Sequence, residues 1–209
     1  MRKNSAAIVL MLLLITATVV WAQPDGVSAA QLRSLELESL GSDGIFSPLG
    51  TYFAVITRSN RVRVYNSEYD ELWNYRGQGQ HGTGPAVVFT SDEKFVLFPG
   101  HGSASRIAMV HADSGELVLT LDGHTNDVKA MALSPDNRWL VSFQYGGTAI
   151  VWRREGSGFV FDHELPREPE VVLSLCFAPS SEFFAIGNNQ DFVELYALED
   201  SSSSGDSPA

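Results

Sequence analysis

One cysteine in 209 residues leaves no partner for an intrachain disulfide, so stability has to come from packing. That residue, Cys176, lies in Val172-Leu173-Ser174-Leu175-Cys176-Phe177, an apolar run in which a free thiol behaves as a small hydrophobe. A nucleophilic thiol would need a positive, partly exposed setting. Positive charge is scarce too: 14 Lys and Arg stand against 25 Asp and Glu, a net charge of −11. Nucleic acid and anionic membrane surfaces both require clustered Lys and Arg, so neither is an expected partner. The chain has no Asn-x-Ser/Thr sequon, and none of its five histidines forms a His-x-x-x-His pair. With no thiolate cluster beside them, no metal site is expected. No Gly-x-Ser-x-Gly elbow occurs, so acyl transfer by an activated serine lacks its nucleophile.

Long apolar runs are equally rare, and the one that exists stands at the N-terminus. Arg2 and Lys3 precede an uncharged stretch from Ala6 to Trp21, and Val20-Trp21-Ala22 presents the small and β-branched residues of a signal-peptidase site. The run is shorter than the roughly 20 residues needed to span a bilayer. Residues 1–22 therefore read as a cleaved signal peptide rather than a retained anchor. Export to the periplasm or cell exterior is expected, with no membrane contact beyond that segment. Residues 23–31 read as a linker. The tail over 199–209, Asp-Ser-Ser-Ser-Ser-Gly among it, has nothing to bury and is expected to be disordered.

What the chain does contain is repetition. Phe46-Ser47-Pro48 is echoed by Phe89-Thr90-Ser91-Asp92, by Leu133-Ser134-Pro135-Asp136 and by Phe177-Ala178-Pro179-Ser180, at steps of 43, 44 and 44 residues. A period in the forties with one turn chemistry and short flanking apolar runs marks a blade-type β repeat. The third unit shows the pattern most fully. Strands over Val128 to Leu133, Trp139 to Phe143 and Thr148 to Trp152 alternate with turns rich in Gly, Asp, Asn and Pro, and Val160 to Leu165 can supply a fourth strand. The units run over about 42–83, 84–126, 127–170 and 171–198. The last ends on its third strand, Phe192-Val193-Glu194-Leu195-Tyr196. An alternating segment over 32–40, Leu32-Arg33-Ser34-Leu35-Glu36-Leu37 in particular, is the candidate strand to complete it and remove an exposed edge.

Gly123-His124, Ser134-Pro135-Asp136 and Val151-Trp152 together resemble a unit of the WD-repeat β-propeller family, as does Ile107 to Val110 followed by Asp113-Ser114-Gly115-Glu116-Leu117. Tyr65, Val110, Trp152 and Tyr196 stand where that family closes its third strand with Trp. The resemblance covers Ser42 to Leu198 and implies an all-β propeller of about four WD-like blades, from a divergent exported bacterial member. It also implies that His124, Ser142 and Trp152 form a structural hydrogen-bonded set. The family's tight-turn Asp is replaced near Gly146, and the other units lack most of the set. Two such chains pairing into a homodimer, or a longer propeller of which this is a piece, would both fit so small a number of blades.

On propeller topology, the loops over 77–84, 122–127 and 162–170 share one face with those over 58–61, 99–106, 144–148 and 187–192. Arg58, Arg61, His81, His101, Arg106, Tyr145 and Arg167 would then ring the central opening, a cationic and aromatic rim suited to an anionic ligand or an acidic peptide. Gly77-Gln78-Gly79-Gln80-His81-Gly82 spells a dinucleotide fingerprint, but the strand-like Ala86-Val87-Val88-Phe89 follows it where a helix would be required. The composite expectation is an exported, non-catalytic module that binds protein partners through its loop face, with no cofactor. The alternative is a propeller enzyme holding a quinone or sugar over its channel, which would need inward-pointing acids, bases or ligands from several blades.

Overall fold

The computed structural model describes residues 34–37, 41–79, 86–165, 172–189 and 192–198. The expected signal peptide, the linker and the Ser-rich tail lie outside these residues, as do His81 and Arg167. Among the described residues there is no helix. The described residues form fifteen strands in four antiparallel sheets, each a meander in chain order. The first holds β1 (Gly41–Phe46), β2 (Phe53–Thr57), β3 (Arg61–Tyr65) and β4 (Glu71–Arg76). The second holds β5 (Val88–Phe89), β6 (Phe95–Pro99), β7 (Ile107–His111) and β8 (Leu117–Leu121). The third holds β9 (Val128–Leu133), β10 (Trp139–Gln144), β11 (Ala149–Glu155) and β12 (Gly158–Leu165). The fourth has three strands, β13 (Val172–Phe177), β14 (Phe183–Asn188) and β15 (Val193–Ala197). All four lie within the unit Leu37–Ala209.

The first turn of every blade is the same turn. Gly50, Glu93, Asn137 and Ser181 each donate their amide to the carbonyl three residues earlier, on Ser47, Thr90, Ser134 and Ala178. All four have positive φ, between 55° and 80°. Glycine and asparagine take that backbone region readily; Glu93 and Ser181 hold it against its intrinsic cost. In the first three blades the residue opening the turn also accepts, through its hydroxyl, the amide that starts the next strand: Tyr52, Phe95 and Trp139 at 2.9, 3.1 and 2.9 Å. Ala178 has no hydroxyl to offer, so the fourth blade lacks this bond.

Strand alternation gives each blade two faces, and the packing assigns them. Val62 and Val64 pack forward on the second blade, with Ala108 and Val110 meeting them from its backward face. Ile107 and Met109 pack forward on the third blade against Ile150 and Trp152. Ala149 and Val151 pack forward on the fourth against Phe184 and Ile186. Three apolar cores thus join four blades, and this is how a repeat unit that cannot cover itself is stabilised. On the fourth blade the forward-facing residues Phe183, Val193 and Leu195 are exposed. Cys176 sits on the same side and is likewise exposed, so the thiol expected to pack as a small hydrophobe is open to solvent. The strand was apolar, as read, but no described sheet covers that face.

Ser34 to Leu37, inside the segment expected to complete the last blade, form no strand, although their burial alternates between exposed Ser34 and Glu36 and half-buried Leu35 and Leu37. Alternation reports which side of a segment is covered, whereas a strand is made by ladder hydrogen bonds to a neighbour. Residues 32, 33 and 38–40 lie outside the described residues.

Candidate functional site

The polar set of the third blade is the best-defined cluster in the fold. The Trp152 indole N–H donates to Ser142 Oγ at 2.7 Å, and the same oxygen stands 2.7 Å from His124 Nε2. The ring proton of His124 sits on Nδ1, where it meets an acceptor, so Nε2 accepts the Ser142 hydroxyl proton. Nδ1 faces Gln144 Oε1 at 3.3 Å. Gln144 Oε1 also accepts the amides of Thr125 and Asn126, at 2.8 and 3.2 Å. Gln144 therefore occupies the place of the family's turn Asp, two residues ahead of Gly146. Sequence reasoning missed it because a carboxylate was the residue type sought. Burial drives the His124 pKa down to about 4, with the Gln144 hydrogen bond opposing only weakly, so the ring is neutral at pH 7. A neutral ring wired on both nitrogens is a structural brace and has no lone pair left for chemistry.

The loop-rich face is assembled by backbone bonds between the loops that join blades and the loops within them. Gln78 N–H donates to Gly100 O at 2.8 Å, Val128 N–H to Ala104 O at 3.1 Å, and Tyr145 N–H to Asp127 O at 2.7 Å. Asn60 ties in with its side-chain amide on Gln78 O at 2.6 Å, while its own carbonyl accepts Gly77 N–H at 2.7 Å. The loops that join the first blade to the second and the second to the third thereby touch loops inside those blades.

The predicted rim residues on this face do not act as one cationic cluster. Arg61 Nη1 donates to Asn74 Oδ1 at 3.0 Å, towards the outer edge of the first blade. Arg106 forms an ion pair with Asp122. His101 stacks on Tyr75, with ring centroids 4.9 Å apart and planes at 15°, and the amide of Gly102 donates to the Tyr75 hydroxyl. Tyr145 is 63% exposed, and Lys129 Nζ lies 6.0 Å from its ring centroid while pairing with Asp127 at 3.1 Å. Arg58 is exposed. The face presents two aromatic platforms, Tyr75–His101 and Tyr145, flanked by cations whose charge is largely matched by Asp122 and Asp127. Neither aspartate was among the predicted rim residues, although both stand in the Asp122 to Asp127 turn.

The opposite face is locked by side chains that reach from each repeated turn to the blade before it. Glu93 accepts the Leu49 amide, Asn137 accepts the Ser91 amide at 2.8 Å, and Ser181 Oγ accepts the Asp136 amide at 3.1 Å. Burial opposes the charge on Glu93, but hydrogen bonds from the Ser47 and Thr51 hydroxyls and the Leu49 and Thr51 amides outweigh it, holding its carboxyl below the usual range. A cleft of about 320 Å³ beside it is lined by Tyr52, Asp92, Lys94, His111 and Asp113 among others. The phenol of Tyr52 is pushed up by burial and by the carboxylates of Asp113 and Glu93.

Between the inner strands is a cavity of about 220 Å³, bounded by residues of β1, β5, β9 and β13 such as Phe46, Val88, Met131, Leu175 and Phe177. No carboxylate, imidazole or amine lines it; Cys176 is its one ionisable group. Among the described residues no group of three His, Cys, Asp or Glu side chains is placed to hold a metal ion.

A family model described as "WD domain, G-beta repeat" matches residues 115–153, from the outer strand of the second blade through Trp152. The chain is 34% identical over 80 residues to a guanine nucleotide-binding protein subunit beta from Lymnaea stagnalis, covering 38% of this chain and 23% of that protein. It is 31% identical over 82 residues to the Target of rapamycin complex subunit wat1 of Schizosaccharomyces pombe, covering 38% and 26%. The matches thus span about a quarter of the length of these curated relatives. Among solved structures, a chain of the "Crystal Structure of Mitotic Checkpoint Complex" superposes with a TM-score of 0.66 at 14% identity, over 77% of this chain and 49% of that one. The repeated turn, the His124–Ser142–Trp152 brace and these likenesses agree: the chain is a WD-repeat-like β-propeller of four blades.

Proposed function

We propose that the protein is a non-catalytic binding module that holds protein partners on its loop-rich face. The observation that carries this reading is the pair of exposed aromatic platforms, Tyr145 and Tyr75–His101, set among balanced charges on a rigid frame. Exposed tyrosine flanked by Lys and Arg suits a protein interface, since aromatic and Arg side chains supply most of the binding free energy in such contacts. Arg58, Arg61, Arg106 and, outside the described residues, His81 and Arg167 complete the candidate contact set. The relatives are named as subunits of larger assemblies, in keeping with a scaffold role. A second copy of the chain is one candidate partner. The apolar lining of the central cavity supports a non-catalytic reading, because a channel-type enzyme needs acids, bases or ligands there.

Arg2, Lys3 and the apolar run to Trp21 support a further part of the proposal, that the protein is exported to the periplasm or cell exterior and cleaved after Ala22. Mass spectrometry of the protein from fractionated cells tests this: a mature form beginning at Gln23 outside the cytoplasm is expected, and an intact cytoplasmic chain would refute it. The binding face is tested by affinity capture with the wild type against Tyr145→Ser and His101→Ser. A partner retained equally by all three would place the contact elsewhere.

A further inference from the structure

The cleft of about 320 Å³ where the first two blades meet lies on the face opposite the loops, and a buried anion without a counter-ion lines it. Glu93 is only 7% exposed, yet the partners of its carboxylate are all neutral donors, the hydroxyls of Ser47 and Thr51 and the amides of Leu49 and Thr51. A buried carboxylate is normally paired with a cation. Lys94, the next residue, is spent on Asp92 at 3.5 Å, so those two charges cancel. Asp113, on the turn after β7, lines the same cleft, and among the described residues its exposed carboxylate has no ion-pair partner. Glu93 and Asp113 thus leave two negative charges unmatched.

Both charges converge on an aromatic wall. Tyr52 is half-buried and stacks on Phe89, with centroids 6.1 Å apart and planes at 10°. Its phenol is harder to ionise, first because of burial and then because Asp113 and Glu93 each repel the phenolate. The same negative potential that disfavours the phenolate favours a cation held against the ring. His111 also lines the cleft, its ring 5.2 Å from Phe95, and a neutral imidazole there adds an acceptor.

We propose that this cleft receives an arginine side chain of a protein partner, the guanidinium lying on Tyr52 and forking onto Asp113, with the Glu93 charge completing its neutralisation. Charge complementarity calls for a cation, and the ring beside a free carboxylate selects the planar one. Guanidinium stacks on aromatic faces, donates paired N–H groups to a carboxylate and sheds water more readily than an ammonium group. The volume stands at the lower end of ligand sites, about 300–1,000 Å³, so it suits one side chain rather than a whole cofactor. This is a second contact surface, independent of the loop-face reading, and it uses none of that reading's residues.

An amide NMR titration with Nα-acetyl-arginine amide at pH 8 tests it. The signals of Thr51, Tyr52, Lys94 and Asp113 should shift saturably, with a Kd on the order of 1–10 mM for a single side chain. The neutral isostere Nα-acetyl-citrulline amide should leave them unmoved, and Nα-acetyl-lysine amide and the free diamine putrescine should bind more weakly. Asp113→Asn, at an exposed position, should weaken the arginine complex about tenfold. Asp122→Asn on the loop-rich face removes the same charge and should leave it unchanged. No saturable shift at these residues, equal shifts from citrulline, tighter binding of the lysine amide or putrescine, or equal losses in the two aspartate variants would each overturn the proposal.

Discussion

The third and fourth blades are built from closely similar strands and turns, yet they have opposite fates. In the third, both faces are covered, Trp139, Val141 and Phe143 on one side and Leu140, Ile150 and Trp152 on the other, and a polar brace runs between its strands. In the fourth, only the side carrying Leu175, Phe184 and Ile186 is covered. The brace is gone, the turn hydroxyl is replaced by Ala178, and the outer strand β15 has no described strand beyond it. A blade's stability is therefore set mainly by its neighbours and only secondarily by its own hydrogen bonds. The widest gap between the two should appear on deleting the residue that serves both purposes in the third blade. Trp152 is buried between blades and donates to Ser142. Trp152→Ala is expected to cost about 4 kcal/mol in denaturant melts, whereas Tyr196→Ala at the same position of the half-covered fourth blade should cost less than half as much.

The brace also gives the third blade a pH dependence that the fourth lacks. His124 has its pKa lowered from 6.5 to about 4 in the folded protein, by burial first. Between those values the unfolded chain binds a proton that the folded one does not, so stability is full above pH 6.5 and falls as pH drops towards 4. The loss amounts to about 3 kcal/mol over that window. Urea melts from pH 7 to pH 4 should show it, and His124→Asn should flatten the profile. Gln144→Glu sharpens the test: a carboxylate at 3.3 Å from Nδ1 should raise the folded-state His124 pKa towards 6.5, so the fall in stability below pH 6.5 becomes smaller and ends at a higher pH.

Much of this architecture was legible in the sequence, and for a physical reason. The turn after the inner strand is a local structure, fixed by Ser, Thr, Pro and Asp within five residues, so its recurrence at Ser47, Thr90, Ser134 and Ala178 revealed the blades directly. The partners of each turn are less visible, because they lie a whole repeat away. Glu93, Asn137 and Ser181 perform one task with three different side chains, and no motif search would align them. Gln144 was missed for the same reason, since an amide oxygen accepts the bonds that a carboxylate would. The loop-face candidates Arg58, Arg61, His101, Arg106 and Tyr145 were inferred from topology. That Asp122 and Asp127 neutralise the cations beside them was not, because ion pairing depends on side-chain direction. Exposure of Val193 and Leu195 could not be read at all: an alternating apolar strand looks the same whether or not another sheet lies on it.

The clamps between turns provide a graded test of the second face. Glu93 is buried and satisfies four donors of the first blade's turn, whereas Ser181 satisfies a single amide. Removing an acceptor leaves its donors buried and unpaired, so Glu93→Ala should cost roughly 2 kcal/mol and Ser181→Ala about 1 kcal/mol. Because the Glu93 carboxyl is held below its usual range, its contribution is present above pH 4.5 and fades as pH falls through the lowered value. A midpoint shift in urea for Ser181→Ala that equals that of Glu93→Ala would mean the fourth blade relies on its turn more than its single hydrogen bond indicates.

The smallest expected effect is the most discriminating. Met109 and Leu195 hold corresponding forward-facing positions, one buried against the next blade and the other 76% exposed. Met109→Ala should cost about 3 kcal/mol, as for any large core side chain. Leu195→Ala in dilute protein should stay within about 0.5 kcal/mol, as for a surface substitution. If the fourth blade is covered by a second copy, the Leu195→Ala penalty must grow with protein concentration, because association stabilises the folded state only when the partner is present. The Met109→Ala penalty must not, since its cover is part of the same chain. Thermal melts of both variants across a hundredfold range of concentration therefore separate a blade that tolerates an open face from one that is open only until its mate arrives.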